Sequence, residues 1–582
     1  MILQNILKPD RDTCEVSEMY WHEEGRKFVF DSYFNIFTIH KWLEYTTIRS
    51  FNLILNLTGK AEIELFDQDG SLGKRIYDTG TGVRIRIPLK FRETSKCLWF
   101  SYEPLDQFAN IISGWYETEE KPGHNVHLAA DICTFKREPY LKHNLNILTE
   151  QLINNGKSPV CDKLDIFVID NGRTLKKEEI ETDHIHLFPN MNAGGTGGFT
   201  RGLIEINKKK DEMGLTHMIF MDDDAVLCPD SLVRTFGILS YVNKKWEKAC
   251  VSGAMLRIDM QYSQHEYGSK WDGTDCYSRY PGLDLRIRDN VIRNEEMDEA
   301  DYAPWWYACY PLTETGMDNL PLPLFIHNDD TEYGLRHKKN GFILLNGICV
   351  WSPGFENKRS SMLSYYDVRN IMLTEALYTE DGLLKRMKQY CRKRILANAL
   401  RYRYNDAKLV LDAVEDFCKG PEYLGTLNPE EKNKEIGQTG YAMKPVEELT
   451  SDPVLLKEIH EYVQPENIEE IYNNRNHENK WFYALTLNGW ILPAKKEVKA
   501  FPMGIWPYSL YRVGKVILFD PDSCKGIYGE KSWKELFRCI GYYFQICKLL
   551  KNEYPKARAA YKEKFKWLTS YECWVKYLKV DQ

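Results

Sequence analysis

The chain has 582 residues, of which 43% are hydrophobic and 28% are charged, and its formal net charge at pH 7 is −7. This composition is typical of a soluble globular protein that is long enough for three or four domains. The acidic balance argues against a general nucleic-acid binder, which would show a strongly basic domain. A small ligand that carries phosphate remains compatible with it.

The N-terminus and the cysteines predict a cytoplasmic protein. Residues 1–8 lack the charged lead, the long apolar core and the cleavage site of a secretory signal. No apolar segment reaches the length that a membrane-spanning helix needs. The 15 cysteines show neither CxxC pairs nor metal-ligand spacing, so we expect free thiols in a reducing cytosol.

Three regions follow one another along the chain. Residues 1–124 alternate short β-rich runs with turns, which predicts a small all-β domain. Between residues 125 and 375, strands alternate with helical stretches, the pattern of a βαβ domain with a parallel sheet. Residues 376–582 are predicted to be mainly helical, with strand-like pieces at 481–492 and 516–519. The polar stretch Asn428–Gly440 looks like a linker or a loop.

The most informative motif is the apolar run Met218–Met221, which ends in Asp222, Asp223 and Asp224. Side chains alternate along a strand, so Asp222 and Asp224 point the same way and Asp223 points opposite. Mn²⁺ and Mg²⁺ prefer oxygen ligands and are commonly held by one or two carboxylates together with substrate phosphates. A metal and nucleotide-diphosphate site is therefore predicted here, and a solvated acidic turn is the alternative.

This acid triplet follows the fourth predicted strand of the βαβ region, and ligands of open α/β sheets bind beyond such carboxyl ends. The glycine-rich segment Asn190–Gly202 follows the third strand, where a phosphate or a sugar could approach the backbone closely. It matches neither GxGxxG nor the P-loop pattern, and a flexible structural loop is its alternative. Arg137 follows the first strand and could neutralise phosphate charge, although a surface arginine at a helix start would look the same.

A second apolar run ends in Asp329 and Asp330, where a helix is predicted to begin. The alternative is structural, because Asn328 or Asp329 could cap the helix while Asp330 complements its dipole. A group transfer to an alcohol needs a carboxylate that takes the proton of the hydroxyl. We therefore predict that Asp330 is the catalytic base.

Two adjacent indoles, Trp305 and Trp306, follow Pro304. Aromatic faces pack well on the apolar faces of sugars, so these side chains are candidates for an acceptor-binding wall. Buried structural tryptophans are the alternative, because large aromatic side chains also dominate protein cores.

Taken together, these motifs resemble the family 2 glycosyltransferases with the glycosyltransferase A fold, and more closely the bacterial polymerising UDP-galactofuranosyltransferases. The segments that carry the resemblance, in the family's order, are Asp31–Phe37, Asn192–Gly202, Asp222–Asp224, Trp305–Trp306, Asp329–Asp330, Tyr366–Asn370 and Leu485–Trp490. The resemblance implies an α/β, Rossmann-like catalytic domain at 125–375, with an N-terminal β-sandwich domain at 1–124 and a mainly helical C-terminal domain at 376–582.

The resemblance also implies an activity. It predicts an inverting, metal-dependent transfer of galactofuranose from UDP-galactofuranose to a hydroxyl of a growing cell-surface glycan, which can be lipid-linked. Asp222 and Asp224 would bind Mn²⁺ or Mg²⁺, and Asp330 would be the base. The nucleotide-binding set would be Thr134, Arg137, Asp170, Asn192, Gly195 and Asp223, and the acceptor-binding set Trp305, Trp306 and Asp329.

Three other functions stay open at this point. The same fold could use another nucleotide sugar, such as one of glucose, galactopyranose or rhamnose. The chain could bind glycans after losing turnover. A nucleotidyltransferase also uses strand-end carboxylates and a metal, although the ordered motifs disfavour it.

The chain departs from the family at two positions. The family usually has a histidine after the tryptophan that closes this domain, whereas this chain has Ser352 after Trp351. Altered metal dependence is the first expectation and catalytic loss is the second, and the Ser352 hydroxyl, a bound water or Glu356 could replace the missing ligand. Asn328 stands where many relatives have tryptophan, which bears on the choice of acceptor.

The C-terminal region is rich in aromatic and basic residues, which would suit a peripheral contact with the inner face of an anionic cell membrane. A helix that covers a core and a homo-oligomer interface are the alternatives. The residues concerned are Tyr542, Tyr543, Lys562, Lys564, Phe565, Lys566, Trp567, Trp574, Lys576 and Lys579.

Overall fold

The computed structural model describes residues 1–296, 299–355, 359–380, 383–462, 483 and 485–580. Part of the predicted strand-like piece at 481–492, and Glu356, lie outside these residues. Within them the chain is a mixed α/β protein with several sheets and a C-terminal region rich in helices.

The N-terminal region is a β-sandwich of two antiparallel sheets, with four and five strands. Apolar side chains from both sheets, such as Leu55 and Phe100, are buried in one core. The strands are Ile2–Asn5, His22–Glu24, Lys27–Val29, Asn52–Thr58, Lys60–Asp67, Gly70–Asp78, Val83–Pro88, Leu98–Pro104 and Asn110–Glu117; a helix spans Ile39–Tyr45 and a 3₁₀ turn Ser17–Met19.

The central region is built on a seven-stranded sheet. Its strands, in spatial order, are Ile185–Pro189, Leu164–Asp170, Leu128–Thr134, His217–Asp222, Tyr307–Pro311, Cys250–Ser252 and Phe342–Ile343. The first four are mutually parallel, and Tyr307–Pro311 runs antiparallel to them. A smaller sheet joins Val226–Leu227, Cys349–Ser352, Ala254–Arg257 and Gln264–Glu266, and a two-stranded ribbon joins Lys270–Trp271 to Cys276–Tyr277.

Helices connect these strands and cover the central sheet. They are Glu138–Leu148 with a π-helical turn at Thr149–Ile153, Lys177–Ile180, Gly194–Met213, Pro229–Tyr241, Arg288–Glu295 and Asp329–His337 with a 3₁₀ turn at Lys338–Asn340. The parallel strands alternate with helices, as the sequence pattern predicts.

The C-terminal region combines helices with a four-stranded sheet. The helices are Ser361–Tyr378, Leu383–Leu400, Tyr404–Cys418, Pro421–Thr426, Pro429–Thr439, Val446–Leu449, Pro453–His460, Trp533–Asn552, Tyr554–Leu568 and Tyr571–Leu578, with a 3₁₀ turn at Pro507–Leu510. The strands are Lys444–Pro445, Lys495–Pro502, Val513–Asp520 and Lys525–Glu530. The helix Ser361–Tyr378 crosses the predicted boundary at residue 375.

The prediction of a loop at Asn428–Gly440 is wrong. The helix Pro429–Thr439 fills this stretch, and the Asn428 side chain caps it by accepting from the N–H groups of Glu430 and Glu431. An Asn cap, a proline at the first helical position and two acids in the first turn all stabilise a helix start. The buried Lys432 then fixes the helix through an ion pair of 2.8 Å with Asp416.

The three regions pack against one another. In the sandwich, the backbone N–H and the side-chain amide of Asn5 both donate to Asp230 Oδ1, at 3.0 and 2.7 Å, on the central helix Pro229–Tyr241. From the C-terminal end, Trp574 donates to the Pro321 carbonyl at 2.8 Å and is fully buried. Trp574 therefore belongs to the core, which corrects its place in the predicted membrane-facing set.

The structure also locates the exposed apolar side chains of the C-terminal region. Phe537 and Phe544, on the helix Trp533–Asn552, are 63% and 66% exposed. Throughout the described ranges, no helix has the length and apolarity that crossing a bilayer requires. The 15 cysteines carry free thiols.

Candidate functional site

The carboxyl ends of the parallel strands bring the predicted site residues to one edge of the central sheet. Thr134 pairs with Asp170, and Cys133 pairs with Asp222. The neighbouring antiparallel strand starts at this edge, because its first residue, Tyr307, pairs with Met221. Trp305 and Trp306 precede that strand and therefore arrive beside the acid triplet.

A cavity of about 920 Å³ opens at this edge. The predicted site residues that line it are Arg137, Asn192, Gly195, Asp222, Asp223, Trp305, Trp306, Asp329 and Asp330. Thr134, Asp170 and Asp224 are not among the lining residues. The predicted donor side, acceptor side and base thus share one space.

The acid triplet is organised around Arg137. Asp223 is buried and accepts a hydrogen bond of 2.6 Å from the Thr134 hydroxyl. One terminal nitrogen of Arg137 lies 3.3 Å from Asp223 Oδ1 and 2.5 Å from Asp224 Oδ2. Burial raises the pKa of Asp223 above its ordinary value, while the Thr134 and Arg137 contacts act in the opposite direction.

Asp170 organises a turn. Its Oδ1 accepts from the N–H of Gly172 at 2.8 Å, and its Oδ2 accepts from those of Thr174 and Leu175 at 2.7 and 2.8 Å. We predicted that Asp170 holds the nucleotide. In the structure its carboxylate oxygens are engaged by backbone amides, so it shapes the loop after the second strand.

The glycine-rich segment is the start of a helix, which corrects the alternative of a flexible loop. The helix begins at Gly194 and its glycines let it lie close to the sheet, since a Cβ on Gly198 would meet Cys133 Sγ at 2.1 Å. Gly194 has φ +72°, and a Cβ there would lie 2.0 Å from the Phe325 carbonyl oxygen. The segment is therefore pressed against the chain that carries the second acid pair.

The chain before the acid pair has unusual backbone angles. Phe325, His327 and Asn328 have φ values of 75°, 63° and 64°, and a left-handed conformation costs a non-glycine residue roughly 1–2 kcal/mol. The Asn370 amide donates to the carbonyls of Leu324, Ile326 and His327, at 3.1, 2.8 and 2.9 Å. Such backbone strain is often found at functional sites.

The described contacts do not support the alternative in which the Asn328 side chain caps the helix. The Asn328 amide donates to the Thr374 hydroxyl at 2.6 Å, and no side-chain cap bond is formed within the described residues. Asp329 accepts from the Thr196 hydroxyl, so the glycine-rich helix positions this acid directly.

Asp330 has the electrostatics of a base that works near neutral pH. Burial, followed by the charges of Asp329 and Glu266, raises its pKa to about 8. Its Oδ1 accepts from the N–H of Thr331 at 2.6 Å. A general base is most effective when its pKa lies near the working pH.

The two tryptophans form both cavity wall and core. Trp305 stacks on Phe220 with ring centroids 4.4 Å apart, and its indole nitrogen is buried with no hydrogen-bond partner among the described residues. Trp306 donates to the Gly253 carbonyl at 3.1 Å. Both line the cavity, so the two interpretations of these residues are compatible.

Sequence reasoning missed several cavity residues. Glu266 accepts from the hydroxyls of Ser269 and Tyr302, at 2.6 and 2.9 Å, and burial raises its pKa. It is an isolated acid in the sequence and carries no local signal. Five further missed residues are basic: Arg359, Lys393, Arg394, Arg401 and Arg403. The helical spacing of residues 394, 398 and 401 could have revealed part of this basic wall.

The acid triplet offers the oxygen donors that Mn²⁺ and Mg²⁺ prefer. Asp222 and Asp223 line the cavity and Asp224 does not, which corrects the prediction that Asp222 and Asp224 share a face: the strand ends at Asp222, so its alternation does not continue through the triplet. Two carboxylates with diphosphate oxygens are a common ligand set for these ions. In the described part of the chain, no three His, Cys, Asp or Glu side chains are grouped as a metal site. The strand register pairs Val226 with Trp351, so the buried Ser352 follows on the side of the acid triplet.

Comparison with curated proteins finds two relatives that are both galactofuranosyltransferases. The galactofuranosyltransferase GlfT2 of Mycobacterium tuberculosis is 25% identical over 435 residues, and the galactofuranosyltransferase GlfT2 of Mycolicibacterium smegmatis is 25% identical over 432 residues. The chain is similar to galactofuranosyltransferases. Each match covers 68% of this chain, and the chain spans 66% and 64% of the two relatives.

Two other comparisons add no argument. No family model matches the chain. A structure of the glycosylation-associated protein complex Gap123 of Streptococcus agalactiae aligns with a TM-score of 0.10 at 10% identity, over 29% of this chain and 66% of that chain.

Proposed function

We propose that this chain is a glycosyltransferase of the glycosyltransferase A fold that transfers galactofuranose from UDP-galactofuranose to a hydroxyl of a growing cell-surface glycan. The single observation that carries the proposal is that Asp222, Asp223 and Asp330 line one cavity in a chain similar to galactofuranosyltransferases over 68% of its length. A group transfer between a nucleotide sugar and an alcohol needs both acidic sites in contact with the same bound substrates.

The donor is assigned to the edge of the sheet that carries Arg137. The Arg137 guanidinium is a suitable partner for diphosphate oxygens, because it can donate to two oxygens at once. Asn192 and Gly195 line the same cavity as Arg137 and are assigned to the donor with it. When Mn²⁺ or Mg²⁺ is bound by Asp222 and Asp224, it would neutralise charge on the departing UDP.

The acceptor is assigned to the side of Trp305 and Trp306. Both side chains line the cavity, and the apolar indoles offer a surface for a sugar ring. Asp330 takes the proton from the attacking hydroxyl as the new glycosidic bond forms and the bond to UDP breaks. One displacement of this kind inverts the anomeric centre.

A panel of nucleotide sugars tests the proposal. The protein is incubated with Mn²⁺, a galactose-terminated acceptor and one donor at a time: UDP-galactofuranose, UDP-galactopyranose, UDP-glucose or an activated rhamnose. We expect UDP release with UDP-galactofuranose alone, together with a product one hexose heavier. Release with another donor would reassign the sugar, and pyrophosphate release would indicate nucleotidyl transfer. UDP binding without any transfer, even at high Mn²⁺, would indicate a glycan-binding protein instead.

A further inference from the structure

One face of the helix Leu383–Leu400 and the turn after it forms a basic row along the cavity. The lining residues are Lys393, Arg394, Ala397, Asn398 and Arg401, and the steps of three and four residues among them keep side chains on one side of a helix. At 1.5 Å per residue, Arg394 and Arg401 are about 10 Å apart along the axis. The row therefore has two separate cationic ends.

The Arg394 end is electrically balanced and lies towards the base. Arg394 donates to Asp367 Oδ2 at 2.6 Å, and the other oxygen of Asp367 lies 2.9 Å from His327 Nδ1. His327 belongs to the left-handed stretch that leads into Asp330. Arg394 is thus part of the framework that holds the catalytic loop.

The Arg401 end has a different charge balance. Arg401 is 7% exposed, and within the described ranges it donates through Nε to the Ile505 carbonyl at 2.7 Å and has no carboxylate partner. Burial, followed by the charges of Arg359, Arg403 and Arg394, lowers its pKa to about 9. Lys393, which is adjacent to Arg394 at the other end of the row, is exposed, lines the cavity and also has no ion pair among the described residues.

We propose that Arg401 and Lys393, which are about 12 Å apart along the helix axis, form the two sides of a second anion subsite, which binds a phosphoryl group carried by the acceptor. A buried cation is costly without a counter-charge, and a ligand phosphate would supply one. The planar guanidinium matches phosphate oxygens, and the hydroxyl-bearing side chains of Ser360 and Ser364 line the same cavity. Assigning this phosphate to the acceptor rests on the proposed function, because Arg137 already serves the donor.

Calorimetric titration with inorganic pyrophosphate tests the subsite without catalysis. In this titration all proteins carry Arg137→Gln, which weakens diphosphate binding at the donor side. To this background we add Arg401→Gln, Lys393→Gln or the matched control Arg392→Gln. Arg392 is adjacent on the same helix, but its charge acts on Tyr543 and it is outside the cavity lining.

The subsite predicts that the background protein and the Arg392→Gln protein bind pyrophosphate equally. Arg401→Gln should weaken binding roughly ten- to a hundredfold, as expected for a lost charge-assisted hydrogen bond, and Lys393→Gln should weaken it severalfold. Should Arg401→Gln fail to fold, the exposed Lys393 decides the question. No binding in the background protein, or equal binding in all four proteins, would overturn the proposal.

Transfer assays then identify the source of the phosphate. One oligosaccharide is offered as a neutral methyl glycoside, as a glycosyl phosphate and as a prenyl-linked diphosphate. Arg401→Gln should raise KM at least tenfold for the phosphorylated acceptors and leave kcat and the neutral acceptor unchanged. An effect on the prenyl diphosphate alone identifies a lipid-linked source, and an effect on both identifies the phosphate itself.

An equal loss with all three acceptors would overturn the subsite. If no acceptor is used by any protein, the proposed function fails, while the pyrophosphate titration still decides whether the anion subsite exists.

Discussion

The guanidinium of Arg137 lies 2.5 Å from the carboxylate of Asp224. The same nitrogen lies 3.3 Å from Asp223, so one cation bridges two of the three acids at the end of the strand. A diphosphate that enters this site would compete with the carboxylates for the guanidinium, and a metal ion would compete with the guanidinium for the carboxylates. Nucleotide binding and metal binding would therefore be coupled at Arg137.

Replacing Arg137 should separate these two binding events. In Arg137→Gln we expect UDP affinity to fall roughly tenfold or more, because a charge-assisted hydrogen bond contributes about 1.5–3 kcal/mol. Mn²⁺ affinity without nucleotide should rise, since a competing cation is gone. Calorimetric titrations with UDP and with MnCl₂ measure both, and the exposed neighbour Lys136→Gln is the control. A parallel fall in both affinities would contradict the arrangement.

Asp330→Asn should remove transfer while UDP binding persists. The amide cannot accept the proton of the acceptor hydroxyl, and general-base catalysis contributes typically 10²–10⁴-fold to a rate. We expect kcat to fall by about that factor and the Kd for UDP to change little. Thermal unfolding of the variant checks that the fold is intact. A variant as active as the parent would remove Asp330 from the mechanism.

The pH dependence of kcat/KM should have an acidic limb near the pKa of Asp330, about 8. Below that pKa the carboxyl is protonated and cannot act as a base, so activity should rise with pH until the pKa is reached. The charge of Glu266 raises the pKa of Asp330, so Glu266→Gln should move the limb to lower pH. A limb that stays in place would mean that Glu266 does not act on the base.

Ser352→His should increase Mn²⁺ affinity if the position beside the acid triplet serves a metal. The pairing of Val226 with Trp351 places Ser352, the next residue of that strand, on the side of the acid triplet. Imidazole is a good nitrogen ligand for a first-row metal. A Mn²⁺ titration followed by calorimetry measures the change. Ser352→Phe adds a ring of similar size without a ligand nitrogen and should not increase affinity.

Local sequence patterns predicted the parts of the fold that depend on local chemistry. A continuous apolar run, Met218–Met221, correctly predicted the strand before Asp222, and the second apolar run correctly preceded a helix that begins at Asp329. The helix that Asn428 caps was missed because its sequence is mostly polar and was interpreted as a loop. The capping signal, an Asn followed by a proline and two acids, is also local and was overlooked. The start of the glycine-rich helix was missed because the reason for its glycines is a tertiary contact: they let the helix pack closely against Cys133.

Tertiary structure alone assembled the rest of the candidate site. Glu266 and Asp330 are far apart in the sequence, and their electrostatic influence on each other requires the fold. Arg401 reaches the cavity from the C-terminal region, beyond the predicted boundary at residue 375. The side chain of Asp170 was predicted to reach a nucleotide, but three backbone amides engage its carboxylate.

The most direct test of the central claim is the product mass after incubation with UDP-galactofuranose, a galactose-terminated acceptor and Mn²⁺, for the parent protein and Asp330→Asn. We predict mass increments of whole hexose units with one UDP released per unit in the parent, and no increment in the variant. An unchanged acceptor with the parent, or the same increments with both proteins, would contradict the account.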